Sequence, residues 1–396
     1  MQKPKVRFKG FTDDWEQRKL GELVGIYDGV HQTPDYQDSG IMFLSVENIA
    51  TLKSEKYISE EAFERDYKVY PEKGDILMTR IGDVGTTNVV ETAEKVAFYV
   101  SLALLKPNGI DSYFLSNAMK TNAFQKGLRE RTLVTAIPQK INKDEIGKID
   151  IFITNNDEEQ KKIGAYFSNL DHLITFHQRK CEQTKKLKKY MLQKMFPKEG
   201  QTVPEVRFEG FTDAWEKRKL LGCIKKITDF RGRTPKKLGM DWSENGYLAL
   251  SALNVKNGYI DFNQDVHYGN QELYDRWMSG NELHKGQVLF TTEAPMGNVA
   301  QVPDNNKYIL SQRTIAFDVK SEIISEDFLA TILRTPNVIN DLIALASGGT
   351  AKGVSQKSLS ALTIKIPSNI AEQSKIAEYF QNLDHLITLH QRKYKK

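Results

Sequence analysis

Polar and basic loops recur at matching places in the two halves of the chain, and their side chains suit hydrogen bonding to phosphates and base edges. The loop pairs are GVHQTPDY with FRGRTPKKLG, TRIGDVGTTN with TTEAPMGN, and LRERTLVTAIPQKIN with ASGGTAKGVSQKS. Arg, Gln, Asn, hydroxyl groups and glycine amides are the donors and acceptors that such ligands require. Because Gly, Thr, Asn and Pro are also ordinary turn residues, each loop alone has a structural interpretation. Recurrence in two copies favours a binding role.

The candidate contact residues occupy matched positions in these loops and in the strands beside them. In the first half they are Thr33, Ser45, Asn48, Thr79, Arg80, Thr86, Thr87, Arg129, Arg131, Gln139 and Lys140. In the second half they are Arg231, Arg233, Thr234, Ser251, Asn254, Thr291, Thr292, Gln312, Arg313, Thr350, Lys352 and Gln356. Ser45, Asn48, Ser251 and Asn254 could equally cap strand ends.

A catalytic site is not expected, because no set of nucleophile, base and metal ligands converges in the sequence. The Asn-Pro-Pro-aromatic, GxxxxGK[ST] and GxSxG motifs are absent. The stretch SGGTAKGVS at residues 347–355 resembles a phosphate loop, but it lacks the Gly-Lys-Ser/Thr ending and follows a helical pattern. The sequence therefore favours a binding protein over an enzyme.

The elements that hold these loops come from a repeat. VRFKGFTDDWEQRKL at residues 6–20 returns as VRFEGFTDAWEKRKL at residues 206–220, and EQKKIGAYFSNLDHLITFHQRK at 159–180 returns as EQSKIAEYFQNLDHLITLHQRK at 372–393. The segments between them share only scattered anchors. A period of about 200 residues is far longer than a solenoid repeat and predicts two domains, each with its own core.

Each copy has strand-like runs followed by a helix and a last strand. In the first copy the strands are IMFLSVENI, GDILMTR, VAFYVSLALL and IGKIDIFI, with a helix at SYFLSNAMKTNAFQKGL. YLALSALNV, GQVLFTT, YILSQRTIAFDV, LTIKIP and the helical EDFLATILRTPNVINDLIALA correspond in the second. This order predicts the α+β class rather than a βαβ sheet.

The repeated EQxKI blocks predict two long helices with a heptad seam, the first running from about residue 157 to Pro197. The seam residues, spaced by three and four, are Ile163, Phe167, Leu170, Ile174 and His177 in the first helix and Ile376, Phe380, Leu383, Ile387 and His390 in the second. Such a seam favours an antiparallel coiled coil formed by the two helices. Packing of each helix on its own domain is the alternative.

Histidines and basic residues within the helices have simpler interpretations than a ligand site. The spacing of His172 and His177, and of His385 and His390, favours core packing or interhelical hydrogen bonds over metal binding. A basic cluster ends the first helix and is either a binding surface or a solvated helix face. Its members are Arg179, Lys180, Lys185, Lys186, Lys188, Lys189, Lys194 and Lys198.

Composition gives weaker constraints. A net charge of +5 does not by itself distinguish a nucleic-acid-binding protein from other proteins. Cys181 and Cys223 have no metal-ligand spacing, and so few cysteines suit a reducing compartment. No apolar run reaches about 18 residues, and the N-terminal residues lack the apolar stretch of a signal peptide. We therefore expect a cytoplasmic protein without a membrane partner.

The ordered combination of motifs resembles the specificity subunit of type I DNA restriction-modification systems over essentially the whole chain. The motifs are the VRFxGF openings, the GRTP-type loop at residues 232–235, the GDILMTR and GQVLFTT strands, and the paired helices. The resemblance implies two target-recognition domains separated by the antiparallel coiled coil, each recognising one half of a split, asymmetric DNA sequence. The implied domain bounds are 1–156 and 198–370 for the recognition domains and 157–197 and 371–396 for the spacer helices.

The resemblance also implies partners. Double-stranded DNA, two modification (methyltransferase) subunits and the restriction/translocase subunits would assemble with this chain. S-adenosylmethionine, ATP and Mg²⁺ would then be bound by the partners, with no cofactor or metal on this chain. Two alternatives are a stand-alone two-domain DNA-binding regulator and a coiled-coil scaffold for other proteins. The first copy continues past HQRK as CEQTKKLKKYMLQKMFP, whereas the second reads HQRKYKK, so the second helix is either short or truncated at the far end of the coil.

Overall fold

The computed structural model describes residues 4–346 and 353–395. They form two compact units, unit 1 (Met1–Ile174) and unit 2 (Thr175–Lys396). Strands and helices are mixed within both units, which confirms the α+β class.

Unit 1 begins with a short strand and ends within a long helix. Its strands are β1 (Glu16–Lys19), β2 (Val24–Asp28), β3 (Ile41–Leu44), β4 (Tyr57–Ile58), β5 (Ile76–Ile81), β6 (Asp83–Val89), β7 (Val96–Phe98), β8 (Leu102–Pro107) and β9 (Asp150–Ile153). Its helices are α1 (Leu20–Leu23), α2 (Glu60–Asp66), α3 (Ser112–Ala118), α4 (Asn122–Arg131), α5 (Lys143–Gly147) and the first part of α6 (Asp157–Lys194), with a 3₁₀ turn at Val46–Asn48.

The central sheet of unit 1 is antiparallel in the order β2-β8-β5-β6, and it separates two hydrophobic cores. Successive side chains of a strand point to opposite faces. Ile76 and Met78 of β5 therefore lie in the core beneath α3 and α4, and Leu77 lies in the core shared with α2. A three-stranded sheet, β4-β3-β7, covers the second core, with β3 and β7 parallel. β1 pairs with β9.

Unit 2 repeats this arrangement. Its strands are β10 (Glu216–Lys219), β11 (Ile224–Asp229), β12 (Tyr247–Leu250), β13 (Val255–Lys256), β14 (Tyr259–Ile260), β15 (Tyr268–Gly269), β16 (Val288–Thr291), β17 (Val299–Gln301), β18 (Ile309–Leu310), β19 (Thr314–Val319) and β20 (Thr363–Ile366). Its helices are α7 (Gln271–Met278), α8 (Glu326–Ile332), α9 (Pro336–Leu345), α10 (Gln356–Ala361) and α11 (Ile370–Lys395), with 3₁₀ turns at Leu220–Cys223 and Pro235–Leu238.

Three sheets of unit 2 match those of unit 1, and a fourth, the two-stranded sheet β13-β14, has no counterpart in the described residues of unit 1. The antiparallel order β11-β19-β16-β17 corresponds to β2-β8-β5-β6, and β15-β12-β18 corresponds to β4-β3-β7. β16 again divides two cores, because Val288 and Phe290 face one core and Leu289 faces the other. The dissimilar central sequences of the two copies thus build one topology.

Several single runs in the sequence become pairs of elements, among them YILSQRTIAFDV, which forms β18 and β19. VAFYVSLALL forms β7 and β8, which belong to different sheets, because the chain turns at residues 99–101 to pass from one sheet to the other. SYFLSNAMKTNAFQKGL forms α3 and α4, with a break after Met119. In unit 2 the corresponding break precedes Pro336, which occupies the first turn of α9.

The two long helices contact each other within unit 2. α6 begins with Asp157, Glu158 and Glu159, and the side chain of Asn156 accepts a hydrogen bond from the Glu159 amide at 3.1 Å. It ends at Lys194, short of Pro197, because Met195 and Phe196 turn into the core of unit 2.

Three contacts from α6 to α11 give their relative direction. His177 meets His390, Cys181 meets the carbonyl of Ile387, and Lys188 pairs with Asp384. Residue numbers rise along one helix as they fall along the other, so the helices are antiparallel there.

Among residues 4–346 and 353–395, no helix combines the length and the apolar character needed to cross a membrane.

Candidate nucleic-acid interface

Unit 2 brings five of the candidate residues around one cavity of about 410 Å³. They come from three separate loops, after β11, β12 and β18. The five are Arg233, Thr234, Ser251, Gln312 and Arg313. A cavity lined by Arg, Gln and hydroxyl side chains can donate to and accept from base edges or phosphates.

Hydrogen bonds hold the cavity loops together. The Gln312 Nε2 donates to the Arg233 carbonyl at 2.5 Å, and the Arg233 guanidinium lies 4.3 Å from the centre of the Phe230 ring. Thr234 caps the 3₁₀ turn by accepting from the Lys237 amide at 3.3 Å. The loops are therefore positioned before any ligand binds.

Of the two arginines at the cavity, Arg313 is more exposed than Arg233. Its backbone φ of 65° is in the left-handed region, which is uncommon for a residue with a side chain. Its Nε lies 3.0 Å from Glu293 Oε1, in an ion pair whose two side chains are about half exposed. Such an exposed pair is weak, so the guanidinium can exchange its partner for a ligand.

The sequence missed several residues that line the same cavity. Trp242 and His267 contact each other with ring centres 5.5 Å apart, and Asp241 and Lys236 lie beside them. Trp242 lies three residues after the end of the basic GRTPKKLG loop. An aromatic residue next to a basic loop is a signal for stacking on nucleic-acid bases, and it was available in the sequence.

In unit 1 five of the candidates are exposed, namely Thr33, Thr86, Arg129, Gln139 and Lys140. Of these, Thr86 lies in the β5–β6 hairpin. Gln139 is fixed to the hairpin because its Nε2 donates to the Gly82 carbonyl at 3.0 Å and its carbonyl accepts from the Gly82 amide at 2.8 Å. In unit 2, Arg231 and Gln356 are also exposed, and both contact Asp229.

Six candidates are buried and hold the fold together. They are Thr79, Arg80, Thr87, Asn254, Thr291 and Thr292. Thr79 and Thr291 play one role in the two copies, since each hydroxyl accepts a backbone amide hydrogen bond at 2.9 Å across its hairpin. Arg80 forms an ion pair with Asp28. In these residues the polar groups are used mainly within the protein.

The Ser–Asn pairs shape a turn that is the same in both copies. The Ser45 amide donates to Asn48 Oδ1 at 2.9 Å, and the Ser251 amide donates to Asn254 Oδ1 at 2.8 Å. Ser45 and Asn48 are half-buried, as is Arg131. Thr350 and Lys352 lie outside the residues that the structure describes.

The seam residues lie in two settings. Ile376, Phe380 and Leu383 are buried in the core of unit 2, where Phe380 packs on Phe196 with ring centres 6.0 Å apart. Ile163 packs against the core of unit 1. Phe167, Leu170 and Ile174 are exposed by 44%, 36% and 38%. Packing on the unit's own core and pairing of the helices therefore coexist.

His177 and His390 occupy the same position in the two repeats and contact each other through Nδ1 atoms 3.0 Å apart. One imidazole must donate while the other accepts, which requires at least one neutral ring. Burial, the charge of Lys393 and the His390 ring together lower the pKa of His177 from its ordinary value. Within the described residues, no group of three or more His, Cys, Asp or Glu could hold a metal ion.

Two matches along the chain show which protein family it belongs to. A model of the type I restriction modification DNA specificity domain matches the chain twice, over residues 12–186 and 212–396. The chain belongs to this family. Specificity subunits are the DNA-recognition subunits of type I restriction-modification systems and do not carry the catalysis.

Relatives of this specificity subunit cover nearly its whole length. The MjaVIII type I restriction enzyme specificity subunit of Methanocaldococcus jannaschii is 24% identical over 391 residues, which are 95% of this chain and 88% of that protein. The MjaX specificity subunit of the same organism is 24% identical over 401 residues, covering 97% and 90%. The crystal structure of the type I S subunit from M. genitalium aligns over 100% of this chain and 95% of that one, with 13% identity and a TM-score of 0.68. That structure shares the fold.

Proposed function

We propose that this specificity subunit recognises a bipartite, asymmetric DNA sequence, with unit 1 binding one half and unit 2 the other. The observation that carries the proposal is one sheet topology built twice beneath different loops. The shared sheet topology supports the same role, DNA recognition, for both units. The different loops support recognition of different half-site sequences. Where two domains bind one duplex, the link between them sets the distance between half-sites.

The long helices supply that link in the proposal. At about 1.5 Å per residue, the 38 residues of α6 extend about 57 Å. The contacts of His177 with His390 and of Lys188 with Asp384 support a stiff helix pair over the second half of α6. A stiff helix pair would fix the number of base pairs between the two half-sites, which neither unit recognises.

Catalysis belongs to partner subunits in the same proposal. Two modification subunits would bind this chain and methylate adenine with S-adenosylmethionine, and the restriction/translocase subunits would use ATP and Mg²⁺ to cleave DNA. The names of the relatives support such a system, since both are specificity subunits of type I restriction enzymes. A stand-alone regulator or a protein scaffold would need none of these partners.

Mapping of methylated adenines in cells that contain this chain and its partner subunits tests the proposal. Exchange of residues 24–156 for the corresponding segment of another specificity subunit should change one half of the methylated word. The matched exchange of residues 225–370 should change only the other half. Simultaneous change of both halves by one exchange, or a methylation pattern independent of this chain, would contradict it.

A further inference from the structure

The loop between α4 and α5 in unit 1 has an apolar tip. Val134 is 69% exposed and Ile137 is 100% exposed, and the neighbouring Leu133 is 45% exposed. A single exposed apolar residue needs no explanation on a protein surface. Three further features distinguish this tip: its rigid base, its charge, and its counterpart in unit 2.

Backbone hydrogen bonds fix the base of the loop to the end of the central sheet. The Leu133 amide donates to the Lys140 carbonyl at 2.8 Å, the Gly82 amide donates to the Gln139 carbonyl at 2.8 Å, and the Ile141 amide donates to the Arg80 carbonyl at 3.0 Å. The tip is therefore presented on a preformed support. A preformed support reduces the entropy lost when a ligand binds.

Basic residues lie on both sides of the tip in the sequence. Arg129 and Lys140 are exposed, and in the described part of the chain neither makes an ion pair. Arg131 lies 3.9 Å from Glu145, and Glu130 lies 3.9 Å from Lys126. The two unpaired cations leave a local excess of positive charge, which complements the phosphates of a duplex.

The second copy fixes the end of the corresponding segment through the same backbone contacts, and the sequence that precedes them differs. The Val354 amide donates to the Thr292 carbonyl at 2.8 Å, matching the Ile141 contact, and Gly353 bridges to Glu293 as Lys140 bridges to Ile81. Counting back from these anchors, the residues that correspond in sequence to Val134 and Ile137 are Ser347 and Thr350, which lie outside the described residues. An attachment shared by the two copies beside a different sequence is typical of a segment that selects a ligand.

We propose that Val134 and Ile137 are specificity-determining residues of unit 1 that make apolar contacts with the bases of its DNA half-site. The inference rests on the proposed function. Duplex DNA offers apolar surface at the methyl group of thymine in the major groove and on the face of a base at an opened step. The flanking cations favour DNA over a protein partner as the occupant.

The test uses the complex with its modification subunits and duplexes that carry the mapped target word. The variant Val134→Ser/Ile137→Thr introduces the residue types of the second copy, and Val6→Ser, at a position 89% exposed in unit 1, is the matched control. We expect the double variant to bind about tenfold more weakly, because apolar burial is lost. The slope of log affinity against log salt should stay unchanged, because no phosphate contact is lost.

Modified duplexes distinguish the two apolar sources. Replacement of single thymines by deoxyuridine should weaken wild-type binding but not variant binding if a methyl group is contacted. An increase in 2-aminopurine fluorescence with the wild type alone would instead place the tip at an opened base step. In both cases the affected positions should lie in the half-site that exchange of residues 24–156 changes.

Three outcomes would contradict either the role of the tip or the proposed function, and the experiment distinguishes them. If wild type and double variant bind the target with equal affinity and equal base preference, the inference fails while the proposed function stands. If the double variant no longer assembles with the modification subunits but keeps its thermal stability, the tip binds protein instead. If the wild-type complex shows no sequence preference, the proposed function itself fails.

Discussion

In each copy a buried arginine–glutamate ion pair joins the two repeated sequence blocks. The Arg207 guanidinium donates two hydrogen bonds to Glu372, at 2.7 and 2.8 Å, and Arg7 donates two to Glu159, at 2.5 and 2.8 Å. Each arginine belongs to a VRF segment and each glutamate to the first turns of a long helix. The sequence identified both blocks but could not pair them, because 152 and 165 residues separate the partners.

We expect Glu372→Gln to lower the free energy of unfolding of unit 2 by about 3 kcal/mol. The substitution keeps the shape of the side chain but leaves the Arg207 charge, 11% exposed, without its counter-charge. Urea unfolding measures the loss. Glu378→Gln, an exposed position on the same helix, is the control and should change little. Glu159→Gln with Glu158→Gln as its control repeats the test in unit 1, and an equal effect of test and control variants would contradict the assigned role.

At the scale of elements, hydrophobic patterning predicted the uninterrupted helices and strands better than the places where one apolar run divides into two elements. The long helices and the buried strands β5 and β16 follow from periodicity and apolar runs. The run that splits into β7 and β8 reads as one strand, because both parts are buried and only the tertiary structure assigns them to different sheets. The heptad seam likewise could not reveal that Ile376 and Phe380 also face the core of their own unit.

The His177–His390 contact should make the helix pair sensitive to acid. The pKa of His177 is lowered from its ordinary value of 6.5, so below about pH 6.5 the unfolded chain binds a proton more readily than the folded chain. Stability should therefore fall as the pH falls through the window just below 6.5. Thermal unfolding between about pH 8 and about pH 5.5 should show a flatter profile for His177→Gln than for the wild type. His385→Gln, at an exposed position on α11, should keep the wild-type profile; a wild-type profile for His177→Gln would refute the contribution.

At the scale of the whole molecule, the repeat predicted two units with one plan, and the matches over residues 12–186 and 212–396 agree with it. Which loops converge could not be predicted from the sequence, because Arg233, Ser251 and Arg313 belong to three separate loops. The parallel pairing of β12 with β18 brings together the loops of Ser251 and Arg313, and Gln312 holds the Arg233 loop. The sequence likewise could not show which candidate contact residues are buried. A Thr in a hairpin looks the same whether it contacts a ligand or, like Thr291, accepts a backbone hydrogen bond.

If the units recognise separate half-sites, substitutions in different units should act independently. We expect Arg313→Ala to weaken binding by about 1–3 kcal/mol and to relax one base position in the half assigned to unit 2, because an exposed guanidinium at the cavity can grip a guanine edge. Arg129→Ala should affect only the half assigned to unit 1. Their free-energy changes should add in the double variant, since residues without shared partners are independent. Binding titrations with duplexes mutated in one half at a time measure each term, and Arg218→Ala, whose partner is Glu216 in β10, is the control. A double variant that departs from additivity by more than about 0.5 kcal/mol would show that the two units do not bind their half-sites separately.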